Sequence, residues 1–177
     1  MPAQPATLVT QEMIDSKDVW SAPRISWPIS TSDIRKWAQA VYWPEVPPRI
    51  YWDEVYAKTT KWGGIVAPQE FNPFSWPLEG AYGQAAALAE ITGTPLSESA
   101  CPMGSGLGSH AMNGGQTMRY YAPIRPGDVI TSTTALVDWN ERATRLGLTM
   151  FVTHETRWTN QNDEIVKITR DVLIHYY

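Results

Sequence analysis

The chain has 177 residues and a mass of 19.9 kDa, which fits one domain with a hydrophobic core and is short for two. Hydrophobic residues make up 43% of the chain and charged residues 18%, and no apolar run is long enough to span a bilayer. These values exclude disordered, coiled-coil and membrane-spanning classes. A net charge of -4 and a pI near 5.3 provide no basic field, so we expect neither nucleic acid nor a membrane as a partner.

Cysteine and histidine usage limits the chemistry further. Cys101 is the single cysteine and cannot form an internal disulfide, and Met1 is not followed by a signal sequence, so we expect a cytoplasmic protein. The histidines, His110, His154 and His175, lack the paired spacing of zinc ligands, and we expect no metal and no cofactor. Nine tryptophans and eight tyrosines favour an aromatic core and apolar pockets.

Two helices are predicted after an N-terminal arm at residues 1–29, which has no clear period. Ser30 and Asp33 have the spacing of a capping box, and the helix that they begin ends before Pro44. Its apolar residues recur at helical spacing: Ile34, Trp37, Ala38 and Val41. A shorter helix is predicted at 53–61. We expect residues 30–177 to form one domain.

The middle of the chain changes from helical to loop-like composition. Ala85–Ala89 are strong helix formers, whereas 92–115 is rich in glycine and proline and is predicted to be a long loop. Strands are predicted beyond it: Thr117–Tyr121, Val129–Asp138, Leu148–Trp158 and Glu164–Tyr177. Four strands in series predict an antiparallel meander, and helices followed by strands predict an α+β domain.

Three motifs in this order resemble those of the MaoC-like hydratases and dehydratases. They are Tyr51–Pro68, the triplet Asn113-Gly-Gly and the stretch Tyr121–Asp128. The chain is most similar to the N-terminal half-domain type, the FAS1-like dehydratase domain, over roughly Ser30 to the C-terminus. This resemblance implies a hot-dog fold, in which a long antiparallel sheet wraps a central helix. It also implies pairing of two such units and action on acyl thioesters.

The family's catalytic groups are missing from the corresponding positions. Its active-site pattern is Asp-x-Asn-Pro-x-His, then a short helix, Phe-Gly-Gly and a His-Gly pair. With Trp62-Gly63-Gly64 as one anchor of the alignment, the catalytic His position falls on Tyr51 and the Asp position on Val46. The His-Gly pair falls on Pro68-Gln69, and no residue is assigned a catalytic role. A tyrosine with an ordinary pKa near 10 is a poor general base at neutral pH.

The resemblance therefore predicts a non-catalytic hot-dog subunit of an enoyl-thioester hydratase or 3-hydroxyacyl dehydratase. Its expected role is to shape the acyl tunnel beside a homologous chain, in a homodimer or a heterodimer with a catalytic subunit. The expected ligand is an acyl-CoA or acyl-carrier thioester. The predicted substrate-binding residues are Tyr51, Trp62, Gly63, Gly64, Pro68, Gln69, Phe71, Asn113 and Gly114.

The same residues also allow different functions. Glu45, one residue from the Asp position, or His110 in the predicted loop could support a self-sufficient enoyl-CoA hydratase. The motifs are equally compatible with a homodimeric acyl-CoA thioesterase and with a non-enzymatic acyl-thioester binding module. For the Asn113-Gly-Gly triplet, a structural role at a loop end is favoured slightly over ligand contact. His154 is predicted to be a packed strand residue.

Overall fold

The structure, a computed structural model, describes residues 6–74 and 110–176. The predicted helix at Ala85–Ala89, Cys101 and most of the predicted loop lie outside these residues. The helices are α1 (Gln11–Ser16), α2 (Thr31–Tyr42) and α3 (Glu54–Lys58), with a 3-10 turn at Arg49–Tyr51. The strands are β1 (Arg24–Ile25), β2 (His110–Tyr120), β3 (Thr131–Thr144), β4 (Gly147–Thr159) and β5 (Ile165–Tyr176).

The strands form one antiparallel sheet in the order β1-β3-β4-β5-β2. Strands β3 to β5 form a meander as predicted, but β2 pairs with β5 and not with β3, so the expectation of four strands in simple series was wrong. The segment 121–130 carries the chain from one side of the sheet to the other. The Tyr121 amide donates to the Val166 carbonyl at 2.9 Å, and the Ser26 amide donates to the Ile130 carbonyl at 2.8 Å. Sequence periodicity identifies strands but not their neighbours.

The N-terminal arm covers the β3 edge of this sheet. The Asp18 amide donates to the Leu136 carbonyl and the Ser21 amide to the Thr134 carbonyl, both at 2.8 Å, and β1 continues the pairing. Helix α1 and β1 were not predicted, because elements of six and two residues are too short to show a period. The arm therefore satisfies backbone groups that an open edge would expose.

Helix α2 begins where its sequence predicts. The Ser30 hydroxyl accepts from the Asp33 amide at 3.1 Å, and the Asp33 carboxylate accepts from the Ser30 amide at 3.1 Å, which confirms the capping box. Ile34 and Ala38 are fully buried. Helix α3 is shorter than predicted, and its N-cap Asp53 accepts from the Tyr56 amide at 2.9 Å.

Two hydrophobic clusters pack along β4. Met150, Val152 and Trp158 share one face of the strand, since alternate residues point the same way. At one end, the arm residues Leu8 and Met13 cover Met150 and Val152. At the other end, α2, α3 and the segments that follow them pack around Trp158. That cluster consists of Ile29, Ile34, Ala57, Ile65, Phe71, Ile124, Ile130, Trp158 and Val166. The candidate site lies beside it.

The Asn113-Gly-Gly triplet lies inside a strand, which corrects its prediction as a loop end. Strand β2 begins at His110, seven residues before its predicted start, and contains a bulge between Asn113 and Gly115. Gly115 has a φ of 125°, and the Asn113 side chain accepts from its amide at 2.8 Å. Glycines interrupt the alternation of polar and apolar residues that identifies a strand. The first half of β2 therefore has a loop-like composition.

Gly114 lies against β5 too closely for a side chain. A Cβ at this position would lie 2.8 Å from Ile174 Cγ1 and 3.0 Å from both Cγ1 and the carbonyl oxygen of Val172. Gly114→Ala is therefore expected to lower the free energy of unfolding by about 1–3 kcal/mol in urea titrations. Gly64→Ala is the control, because its Cβ would meet only Arg125 Nη1 at 3.9 Å. Equal stability of the two variants would contradict the close contact.

Candidate functional site

A cavity of about 180 Å³ lies where the 3-10 turn, the segment after α3 and the beginning of β5 meet. Most of its lining is apolar or aromatic, as is typical of pockets for small molecules. Its lining residues are Ile50, Tyr51, Trp62, Val66, Ala67, Pro68, Gln69, Tyr120, Tyr121, Ala122, Pro123, Ile124, Val166 and Lys167. The cavity is held in place by the α2 and α3 cluster, to which Ile124 and Val166 belong.

The structure brings four of the nine predicted binding residues to this cavity: Tyr51, Trp62, Pro68 and Gln69. Gly63 and Gly64 follow Trp62 in the chain but do not line the cavity. Phe71 is buried in the core, where its ring makes an edge contact with Trp37 at 5.6 Å between centroids. Asn113 and Gly114 lie at the β2 bulge, also outside the lining.

Tyr51 occupies the position that the family alignment gives to the catalytic histidine. Its ring lies 6.0 Å from that of Tyr42. Burial raises the pKa of Tyr51 to about 12, and the hydrogen bond and charge of Tyr42 and the charge of Glu70 act in the same direction. Since the phenol stays protonated at neutral pH, Tyr51 can donate a hydrogen bond but cannot act as a general base there.

The residues considered as substitutes for the catalytic pair lie away from the cavity. Val46, at the Asp position, is 80% exposed, and its neighbour Glu45 is exposed in the turn after α2. His110 is the first residue of β2, not a loop residue as predicted, and stacks on Tyr176 with 5.2 Å between ring centroids. Neither Glu45 nor His110 lines the cavity.

The other two histidines lie on neighbouring strands of the sheet. His154 is buried in β4, as predicted, opposite Asp171 of β5. Burial lowers the pKa of His154 and the His175 charge lowers it further, whereas Asp171 opposes both effects. Burial also lowers the pKa of His175. The chain has three histidines, all of them described, and none lines the cavity.

Lys167 is the functional candidate that sequence reasoning missed. It lies in β5 opposite Tyr120 of β2 and Trp158 of β4, and it is only 5% exposed. Its ammonium lies 3.6 Å from the centroid of the Trp158 ring. Burial lowers the pKa of Lys167 to about 8, and the charge of Glu70 opposes this shift. Only the strand register reveals that Lys167 shares a face with Trp158.

Glu70 and Tyr120 form the polar rim of the cavity. The Tyr120 hydroxyl lies 3.5 Å from Glu70 Oε1, to which it can donate, and 3.0 Å from the Met118 sulfur. Burial raises the pKa of Tyr120, and the charge and hydrogen bond of Glu70 add to this effect. A carboxylate therefore lies close to the cavity although it does not line it.

The part of the chain that the structure describes offers neither a metal site nor a membrane span. Residues 6–74 and 110–176 contain no group of three His, Cys, Asp or Glu side chains that could hold a metal ion. Within these ranges no helix is both long enough and apolar enough to cross a bilayer.

The family model for the FAS1-like, dehydratase domain region matches residues 19–169. The chain belongs to this family. Its α+β architecture is the hot-dog fold of the MaoC-like dehydratases, which confirms the resemblance seen in the sequence. The sequence matches no curated protein.

Solved structures similar to this FAS1-like dehydratase domain include single enzymes and two-chain complexes. The ChsH1-ChsH2 complex from Mycobacterium tuberculosis has a TM-score of 0.67 at 20% identity, over 93% of this chain and 88% of that one. A MaoC-like dehydratase from Rhodospirillum rubrum has a TM-score of 0.55 at 19% identity, over 88% and 91%. The HadBC (3R-hydroxyacyl-ACP dehydratase) complex from Mycobacterium tuberculosis has a TM-score of 0.54 at 16% identity, over 90% and 97%.

Proposed function

We propose that this chain is the non-catalytic subunit of a cytoplasmic enoyl-thioester hydratase or 3-hydroxyacyl dehydratase. In this role it forms part of the wall of the acyl tunnel, and a homologous hot-dog chain supplies the catalytic Asp and His. The substrate is an acyl-CoA or acyl-carrier thioester. The observation that carries the proposal is a cavity that is lined by Tyr51, the residue aligned with the family's catalytic histidine, and by no histidine of the chain.

The chemistry of hydration explains why this observation matters. Addition of water to an enoyl thioester needs a base to take a proton from water and an acid to return one to the α-carbon. Tyr51 at the histidine position has a pKa of about 12, and Val46 at the Asp position has no titratable group. Loss of one general acid or base costs about 10²–10⁴-fold in rate. A chain that lacks both groups is therefore suited to binding and not to turnover.

The open edge of the sheet supports pairing with a second hot-dog chain. Ten of the 11 residues of β2, from His110 to Arg119, are exposed, whereas the arm covers the β3 edge. An exposed edge strand is a template on which a strand of another chain can pair. Two of the similar structures, ChsH1-ChsH2 and HadBC, are complexes of two chains.

Amide hydrogen exchange can test whether β2 is the edge that pairs. On addition of the partner, exchange is expected to slow in β2, because outward-facing amides become hydrogen-bonded across the interface. Exchange at Lys17–Ser21 on the covered edge is the internal control and should not change. Protection of Lys17–Ser21 without protection of β2 would place the interface elsewhere.

The activity test is hydration of a panel of enoyl-CoAs, followed by loss of the conjugated thioester absorbance. The purified chain is assayed alone and then mixed with a candidate partner, a hot-dog chain that carries the catalytic Asp and His. We expect turnover only in the mixture or in the partner. Turnover by this chain alone would contradict the proposal and favour a self-sufficient hydratase. Release of free thiol would instead indicate a thioesterase, and ligand binding without product in any mixture would indicate a binding module.

Tyr51→Phe separates a wall residue from a catalytic residue in the same assay. The variant keeps the ring and removes the hydroxyl, so kcat of the active mixture is expected to fall by less than about tenfold. A loss of about 10²-fold or more would be typical of a general acid or base. That larger loss would assign Tyr51 to the chemistry and contradict the non-catalytic role.

A further inference from the structure

The buried ammonium of Lys167 is not used by the proposed function. It lines a mostly apolar cavity, and among residues 6–74 and 110–176 no carboxylate lies within 4 Å of its nitrogen. The Trp158 ring, 3.6 Å away, stabilises the charge but accepts no strong hydrogen bond. An ammonium has three donors, and one at a mostly apolar cavity gains from an acceptor placed there. The cavity therefore favours a ligand that brings an acceptor with a negative charge.

We infer that this cavity binds a small group that carries a carboxylate, up to about the size of a benzene ring with one carboxylate, and that Lys167 holds the carboxylate. The size follows from the volume, because a cavity of about 150 Å³ can hold benzene and this one has about 180 Å³. The inference rests on the proposed function in one respect. In an acyl tunnel, the bound carboxylate is the terminal group of the acyl chain. The tunnel would then prefer acyl thioesters that carry a second carboxyl group at the far end.

Polar groups besides Lys167 also act on such a ligand. Tyr51 and Tyr120 line the same cavity, and both phenols are protonated at neutral pH, so each can donate to a carboxylate, Tyr120 in place of its donation to Glu70. Glu70 is the charged neighbour, and its carboxylate would repel a bound anion. Because Glu70 is exposed and screened by solvent, the buried ammonium has the larger effect.

The pH dependence of binding follows from the pKa of Lys167. The free protein holds the lysine charged below about pH 8 and neutral above it. Affinity for a carboxylate is therefore constant between about pH 6 and pH 8 and falls by about tenfold per pH unit above pH 8, because binding then requires uptake of a proton. A neutral ligand of the same shape shows no such fall.

The test compares benzoate with benzamide, its neutral analogue, on the full-length chain. Tryptophan fluorescence and calorimetry report binding, since Trp62 and Trp158 lie at the cavity or against Lys167. We expect benzoate to bind at least about tenfold more tightly than benzamide at pH 7. Lys167→Met should abolish this preference. Glu70→Gln, which removes the repulsion, should tighten benzoate binding by about two- to fivefold.

Lys167→Arg gives the test a second variant, in which the charge is kept but no longer titrates. Arginine stays charged at every accessible pH, so the variant should keep the preference for benzoate but lose its fall above pH 8. Equal affinities for benzoate and benzamide, the absence of saturable benzoate binding, or a preference retained in Lys167→Met would overturn the inference. Neither ligand needs a partner or a thioester, so a negative result here is distinct from failure of the hydration assay.

Discussion

Replacing Lys167 with methionine is expected to raise the free energy of unfolding at pH 7 by about 1–3 kcal/mol, since loss of the contact between the ammonium and the Trp158 ring offsets part of the gain. The ordinary pKa of 10.5 falls to about 8 in the folded chain, and a difference of this size corresponds to about 3 kcal/mol of destabilisation of the charged form. Methionine has a similar length and no charge to bury. Urea unfolding at pH 7 measures the effect, and Lys58→Met, at an exposed lysine that pairs with Glu54, is the control.

The sign of the pH dependence gives a second check on the same lysine. Its folded pKa is lower than its unfolded pKa, so the unfolded chain binds more protons between about pH 8 and 10.5. The stability contribution of Lys167 therefore rises with pH across this window, and Lys167→Met removes that rise. A methionine variant less stable than the wild type at pH 7 would mean that the ammonium makes an interaction stronger than its burial penalty.

A stabilising substitution at a pocket residue would itself support a functional reason for the lysine. Binding sites often contain groups that reduce stability, because the ligand satisfies them. If Lys167→Met gains stability and loses the preference for benzoate, the same charge accounts for both effects. Stability gained with binding unchanged would instead leave Lys167 as a buried group without a ligand.

The sequence predicted those parts of the fold that depend on local patterns. The capping box of Ser30 and Asp33 and the apolar spacing of Ile34 and Ala38 sufficed for α2, because caps and periodicity act within a few residues. The alternation of β-branched and aromatic residues likewise identified β3 to β5. The pairing of β2 with β5 depends on contacts between distant residues, so neither periodicity nor composition could reveal it.

The candidate site was predictable only in part, for the same reason. The family motif located Tyr51 and Trp62 at the cavity, since both follow from alignment along the chain. It also placed Phe71 in the binding set, whereas that side chain packs into the core. Lys167 reaches the cavity from the end of the sequence through the β4-β5 register. A lysine in a strand that alternates apolar and polar residues is expected to face solvent until its neighbours across the sheet are known.

The carboxylate of Glu155, a buried residue, joins the arm to the sheet. Glu155 lies on one face of β4, and Trp158 lies on the other face. Glu155 is 3% exposed and accepts from Arg157 Nε and Arg170 Nε, each at 2.7 Å. Arg157 also lies over the ring of Trp20 in the arm, 4.2 Å from its centroid. Glu155 thus links β4, β5 and the arm-covered edge of the sheet.

Glu155→Gln is expected to lower the free energy of unfolding at pH 7 by about 2 kcal/mol, because the amide can accept from only one of the two half-exposed arginines and carries no charge. Burial raises the pKa of Glu155, but the two arginines outweigh it and the net pKa is lowered. The stabilisation is therefore full above the ordinary pKa of 4.5 and is lost as the pH falls through the folded value. Urea unfolding from pH 7 to pH 3 should show the two proteins converging, with Glu164→Gln, at a carboxylate that accepts from the Asn160 side chain, as the control. A constant difference down to pH 3 would assign the loss to packing and not to the charge of Glu155.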